Sequence, residues 1–156
     1  MLTATERVIT LHPGDVVLGE RGDCLATLLG SCVAIVLTDP RRTLGVMCHI
    51  VHARPALSAQ DRSGAYADVA LHTMGKLLQS RGLATSLCEA YVYGGGNMFP
   101  QIVPGASVGG GNAQWALDAL AGLGVKVLSV DVGGAVYRQL RWTVGPTAPK
   151  IVAVPL

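Results

Sequence analysis

Residues 28–51 read Leu28-Leu29-Gly30-Ser31-Cys32-Val33-Ala34-Ile35-Val36-Leu37-Thr38-Asp39-Pro40-Arg41-Arg42-Thr43-Leu44-Gly45-Val46-Met47-Cys48-His49-Ile50-Val51. Two apolar runs of strand length flank a polar turn containing Asp39-Pro40, which predicts a β-hairpin with Val33 to Leu37 facing Leu44 to Val51. If residues 38 and 43 close the turn, Leu37 faces Leu44, Ile35 faces Val46 and Cys32 faces His49. Opposed residues on one face have Cβ atoms about 4.5–5.5 Å apart, so a thiol and an imidazole meet there. Cys48 then points the other way. A one-residue bulge would instead pair Cys32 with Cys48 or Ile50.

Outward from this hairpin, Arg7 to Leu11 and Asp15 to Leu18 read as strands around a His-Pro-Gly turn, and Leu25 to Leu28 as a third. A helix follows the hairpin. Ser63 is its expected cap, Tyr66, Val69, Ala70, Thr73, Met74, Leu77 and Leu78 form its apolar face, and Gly82 supplies the left-handed stop. Cys88 to Tyr93 reads as a strand running into Gly94-Gly95-Gly96-Asn97, and Asn112 as the cap of a second helix ending at Leu123. Val125 to Val130, nearly all apolar, is expected to be covered on both faces. Val136 to Val144 and Ile151 to Val154 complete the strands. Helices and many short strands in mixed order predict an α+β layered sandwich with the helices outside the sheets.

The chain has 156 residues, half of them apolar and only 14% charged, and no repeat or linker divides residues 1–156 into more than one expected domain. A chain of this length buries about 70% of its unfolded surface. The net charge of +2 is nearly neutral and no basic run stands out beyond Arg41-Arg42, so composition points to neither nucleic acid nor an anionic membrane as a partner. Cys24, Cys32, Cys48 and Cys88 match no zinc or redox spacing and read as free thiols. With no apolar leader in Met1 to Arg7 and no bilayer-length run, a reducing cytoplasm is expected.

A bare thiol is only about 3% ionised at neutral pH, and a neighbouring imidazolium lowers its pKa by about one to several units. Cys32 beside His49 therefore reads as nucleophile and base. Gly30 is expected to let a substrate approach the backbone, and the amides around Ser31 and Cys32 to face a developing oxyanion. Asn97, beside a glycine turn, is expected to border this site. Gly94 to Gly96 and Gly109 to Gly111 fit no phosphate-binding spacing and read as tight turns. His12, His52 and His72 read as surface residues, Asp68 as an answer to a helix dipole, and Trp115 and Trp142 as core or interface residues.

Leu29-Gly30-Ser31-Cys32-Val33-Ala34, the later His49, Tyr66-Ala67-Asp68-Val69-Ala70, Glu89-Ala90 with Gly94-Gly95 and Asn97-Met98, and Asp131-Val132-Gly133-Gly134 occur in an order that resembles the chemoreceptor glutamine deamidase family, CheD. The resemblance covers about residues 8 to 152. It implies an α/β/β/α sandwich like the catalytic domain of cytotoxic necrotizing factor toxins. It also implies deamidation of glutamines on the cytoplasmic domains of methyl-accepting chemotaxis receptors, with glutamyl methylesterase activity in some members. By position, Cys32 matches the nucleophile, His49 the base, and Thr27 is the nearest candidate for a threonine that positions the histidine. No metal or organic cofactor is implied. Some members bind a CheC-type phosphatase.

Two departures from the family pattern stand out. Gly109-Gly110-Gly111-Asn112 replaces a common G-E-R-N, removing a charged pair, and His49-Ile50-Val51-His52-Ala53-Arg54-Pro55 replaces an H-x-M-L-P-like stretch. The first keeps open a regulatory module that binds a CheC-type phosphatase without catalysis. A redox-sensing thiol protein is the other alternative, although no closely spaced resolving cysteine is present.

Overall fold

A computed structural model describes residues 7–55, 58, 63–101 and 108–156 of the chain. Its strands are β1 (Val8–Thr10), β2 (Val16–Glu20), β3 (Cys24–Leu29), β4 (Val33–Thr38), β5 (Leu44–Cys48), β6 (Glu89–Gly94), β7 (Lys126–Val132), β8 (Val136–Thr143) and β9 (Lys150–Pro155). The helices are α1 (Ala67–Gln79) and α2 (Val108–Gly122). One sheet has the order β1-β3-β8-β9 and the other β2-β5-β4-β6-β7. The mixed α+β class expected from the sequence is what the chain adopts.

Alternation along β4 and β5 divides the core in two. Val33, Ile35, Leu37, Val46 and Cys48 face α1 and α2, whose apolar sides contribute Ala70, Met74, Ala116 and Leu120. Ala34, Val36 and Met47 face the other sheet and meet Leu25, Leu29, Leu140 and Trp142. Both helices pack on the five-stranded sheet. Among the described residues the outer face of the four-stranded sheet carries no helix, and β8 alternates buried Arg138, Leu140 and Trp142 with exposed Tyr137, Gln139 and Arg141. Among the described residues the layers are thus α/β/β, without the second helical layer of the expected α/β/β/α arrangement. No helix among the described residues is long and apolar enough to cross a membrane.

The hairpin forms, but in a different register. Val36 pairs with Met47, Leu37 with Val46 and Thr38 with Gly45, a slip of two residues from the sequence expectation. The turn is the cause: the Asp39 carboxylate accepts hydrogen bonds from the Thr43 and Leu44 amides and the Thr43 hydroxyl, and Arg42 takes a left-handed backbone at φ 58°. These bonds hold Asp39 below the usual carboxylate range, although burial alone would raise it. A slip of two preserves the face of every side chain.

Three further expectations are corrected. Tyr66, not Ser63, precedes α1, and Ser63 instead accepts the Ala65 and Tyr66 amides. The second helix begins at Val108, so Asn112 lies a full turn inside it and caps nothing. β7 is an edge strand with Leu128 and Val130 exposed, whereas β4 and its neighbour β6 are covered on both faces. Gly82, at φ +75°, does end the α1 region, where the Leu83 amide returns to the Leu78 carbonyl.

Candidate active site

The chain passes from one sheet to the other after β1, β2, β3 and β7. The pairings Val16 with Cys48, Val33 with Gly94 and Gly94 with Val132 bring the crossings after β1, β3 and β7 to one end of the sandwich, and the crossing after β2 lies at the other, where Glu20 pairs with Leu44. Cys32 lies in the crossing after β3 and His49 follows β5 at the same end.

The last rung joining the β4 and β5 segments is Val33 with Ile50, whose amides and carbonyls exchange hydrogen bonds of 3.0 and 2.8 Å. His49 therefore stands across from Ala34, and Cys32 is its diagonal neighbour on the face turned toward the other sheet. In a regular sheet such diagonals are about 7–8 Å apart, within reach of a ring side chain. Cys32 is half-buried and His49 only 3% exposed.

Thr27, from β3, is buried against His49. Its Oγ1 donates to the Leu11 carbonyl at 2.8 Å and lies 2.7 Å from His49 Nδ1. A hydroxyl has one proton, so with that proton on Leu11 the oxygen accepts from Nδ1–H. This selects the tautomer whose Nε2 carries a free lone pair. The backbone of His49 is fixed as well: its amide donates to the Asp15 carbonyl and its carbonyl accepts the Gly14 amide.

The carbonyls of the Cys32 loop are all held. Gly30 accepts from the Gly96 amide at 3.0 Å, Cys32 from the Gly95 amide at 2.9 Å and Ser31 from Asn112 Nδ2 at 3.2 Å. Among the described residues, the Ser31 and Cys32 amides donate to no acceptor. Glycine is required beneath this loop, because a β-carbon at Gly94, itself at φ +110°, would land on the Cys32 carbonyl. Arg138, 4% exposed, fastens the same region through the Gly94 and Gly133 carbonyls and Asp131 Oδ1.

Burial pushes the Cys32 thiol above its ordinary value of 9.0. Burial also pulls His49 below 6.5, opposed by the Asp15 carboxylate and helped by His12. Both shifts favour a neutral thiol and a neutral imidazole, contrary to the resting thiolate expected from the sequence. Desolvation is the leading cause of both shifts.

The remaining expected residues lie as follows. Gly30 does not face open space: a side chain there would meet Met98 and the Tyr137 ring. Asn97 donates its amide to the Gly134 carbonyl and accepts the Phe99 amide on Oδ1, so it builds the turn beside the site. His52 packs its ring 4.9 Å from Tyr66. Trp142 is core and its indole N–H reaches the Thr147 carbonyl. Asn112 and Arg138, both buried, also belong to this region, although an asparagine inside a glycine-rich helix and an arginine in an alternating strand carry no local signal of burial.

Residues 53–147 match the family model CheD, chemotactic sensory transduction. The chain is 34% identical over 143 residues to a probable chemoreceptor glutamine deamidase CheD of Maridesulfovibrio salexigens, covering 86% of this chain and 84% of that one. It is 36% identical over 136 residues to a probable chemoreceptor glutamine deamidase CheD 2 of Albidiferax ferrireducens, covering 85% and 79%. With the chemoreceptor glutamine deamidase CheD of Thermotoga maritima it shares 30% identity over 132 residues, covering 84% and 82%. The stacked sheets with a thiol and an imidazole at one end thus belong to a recognised group. The chain is a member of the CheD family.

Proposed function

We propose that this chain, as one domain over residues 1–156, converts glutamine side chains on chemotaxis receptors to glutamate, with Cys32 as nucleophile and His49 as base. The observation that supports it best is the Thr27 contact at 2.7 Å, which leaves His49 Nε2 free to take a proton beside a loop that carries the thiol. In the reaction, Cys32 passes its proton to Nε2 as sulfur bonds to the amide carbon. The oxyanion is received by the Ser31 and Cys32 amides. His49 returns the proton to nitrogen, the carbon–nitrogen bond breaks and ammonia leaves. Water, deprotonated by His49, then opens the thioester to give glutamate and the free thiol. A glutamyl methyl ester follows the same steps with methanol leaving.

The likeness to the necrotizing factor toxins rests on the two stacked sheets with a Cys-His pair at one end. Because the receptor segments concerned are cytoplasmic, so is this chain. A CheC-type phosphatase is the second partner proposed, but Gly110 and Gly111 present an exposed helix edge without side chains, and binding there is expected to be weak. The test is mass spectrometry of receptor cytoplasmic fragments incubated with the protein, together with ammonia assay. An amide-to-acid mass shift that disappears in Cys32→Ala is expected. Tight phosphatase binding with no shift on any fragment would replace catalysis by the regulatory reading.

A further inference from the structure

We propose that Asn112 is a positioning residue that holds the Cys32 loop against the segment following His49; this rests on Cys32 being the nucleophile. Beyond the Val33–Ile50 rung the two segments separate. The next rung of a regular ladder would join Ser31 to His52, but the His52 amide donates to the Ala65 carbonyl, as does that of Val51. The Asn112 side chain, from the second turn of α2, fills the gap. Its Nδ2 donates to the Ser31 carbonyl at 3.2 Å and the Val51 carbonyl at 3.1 Å, while Oδ1 accepts the Ala53 amide at 2.9 Å.

The chemistry of the partners leaves little choice of side chain. Two carbonyls require two N–H donors and one amide requires an acceptor, and only a neutral carboxamide supplies all three from one planar group. An aspartate keeps the volume but turns a charge toward the Ser31 and Val51 oxygens. The residue is 2% exposed, so no water replaces the lost bonds without rearrangement. Ser31 immediately precedes the nucleophile, and its carbonyl orientation sets the plane of the Cys32 amide. The close approach of α2 that brings Asn112 here depends on Gly109, whose missing β-carbon leaves room for the Gly95 and Gly96 backbone.

The experiment compares wild type with Asn112→Asp and Asn112→Ser, reading kcat and KM on a receptor cytoplasmic fragment and the pH profile of Cys32 alkylation by iodoacetamide. Asn112→Asp is expected to lower kcat about tenfold or more with KM nearly unchanged, and to displace the Cys32 alkylation profile. Asn112→Ser, retaining one donor, should lie between, and it carries the test if the aspartate variant does not fold. Folded variants with wild-type kcat and an unchanged Cys32 profile would overturn the role. A wild type inactive on the fragments, with a displaced profile in the variant, would keep the positioning role and remove the reaction instead.

Discussion

Thr27 Oγ1 lies 2.7 Å from His49 Nδ1 while its proton is committed to the Leu11 carbonyl 2.8 Å away. The pair joins the two sheets and fixes which imidazole nitrogen is basic. Thr27→Val, which keeps the shape and removes the acceptor, should lower kcat about tenfold, the kinetic equivalent of one buried hydrogen bond of about 1–1.5 kcal/mol. Thr27→Ser should retain most activity. Steady-state kinetics decide it, and equal activity in the valine variant would dissociate Thr27 from the base.

Thiol labelling separates Cys32 from its neighbours. Burial pushes Cys48 up to about 12 and Cys88 up to about 11, and Cys32 is the one cysteine of the four that is not fully buried. Iodoacetamide should modify Cys32 before Cys48 or Cys88, and Cys32→Ala should remove the fast phase while leaving the unfolding midpoint nearly unchanged. Peptide mapping reads the order directly.

The pH dependence has two parts. The raised Cys32 thiol predicts that alkylation of the resting protein climbs into the alkaline range with a midpoint above 9.0. The lowered His49 acts on stability: below 6.5 the unfolded imidazole binds a proton that the native one refuses, so stability falls as pH drops from 6.5 through the lower folded value. Urea midpoints between neutral and mildly acidic pH should show this loss, and the slope should be shallower in His49→Gln.

Gly94→Ala tests the support beneath the nucleophile. A methyl group there meets the Cys32 carbonyl at a backbone conformation of φ +110° that side chains resist. Destabilisation of about 2–3 kcal/mol is expected from overpacking, with a larger fractional loss of kcat than Gly111→Ala, where nothing lies within 4 Å. Thermal melts and kinetics of the two variants give the comparison.

What the sequence determined by itself follows from periodicity and local chemistry. Apolar runs bounded by Gly and Pro located the strands, the Gly30-Ser31-Cys32 turn marked the proposed nucleophile, and parity alone put Cys32 and His49 on one face, a result that survived the two-residue slip because the strand period is two. The slip itself depended on Asp39 capping the Thr43 and Leu44 amides, and nothing in strand propensity encodes which side chain captures a turn. Only the tertiary structure decided that the Asn112 side chain, from inside α2, bridges Ser31, Val51 and Ala53, because its partners lie about 60 to 80 positions away and the same residue satisfies the local rules for a helix cap. Tertiary burial likewise set the resting protonation of Cys32 and His49, since desolvation depends on what the second sheet covers and not on the neighbours in sequence.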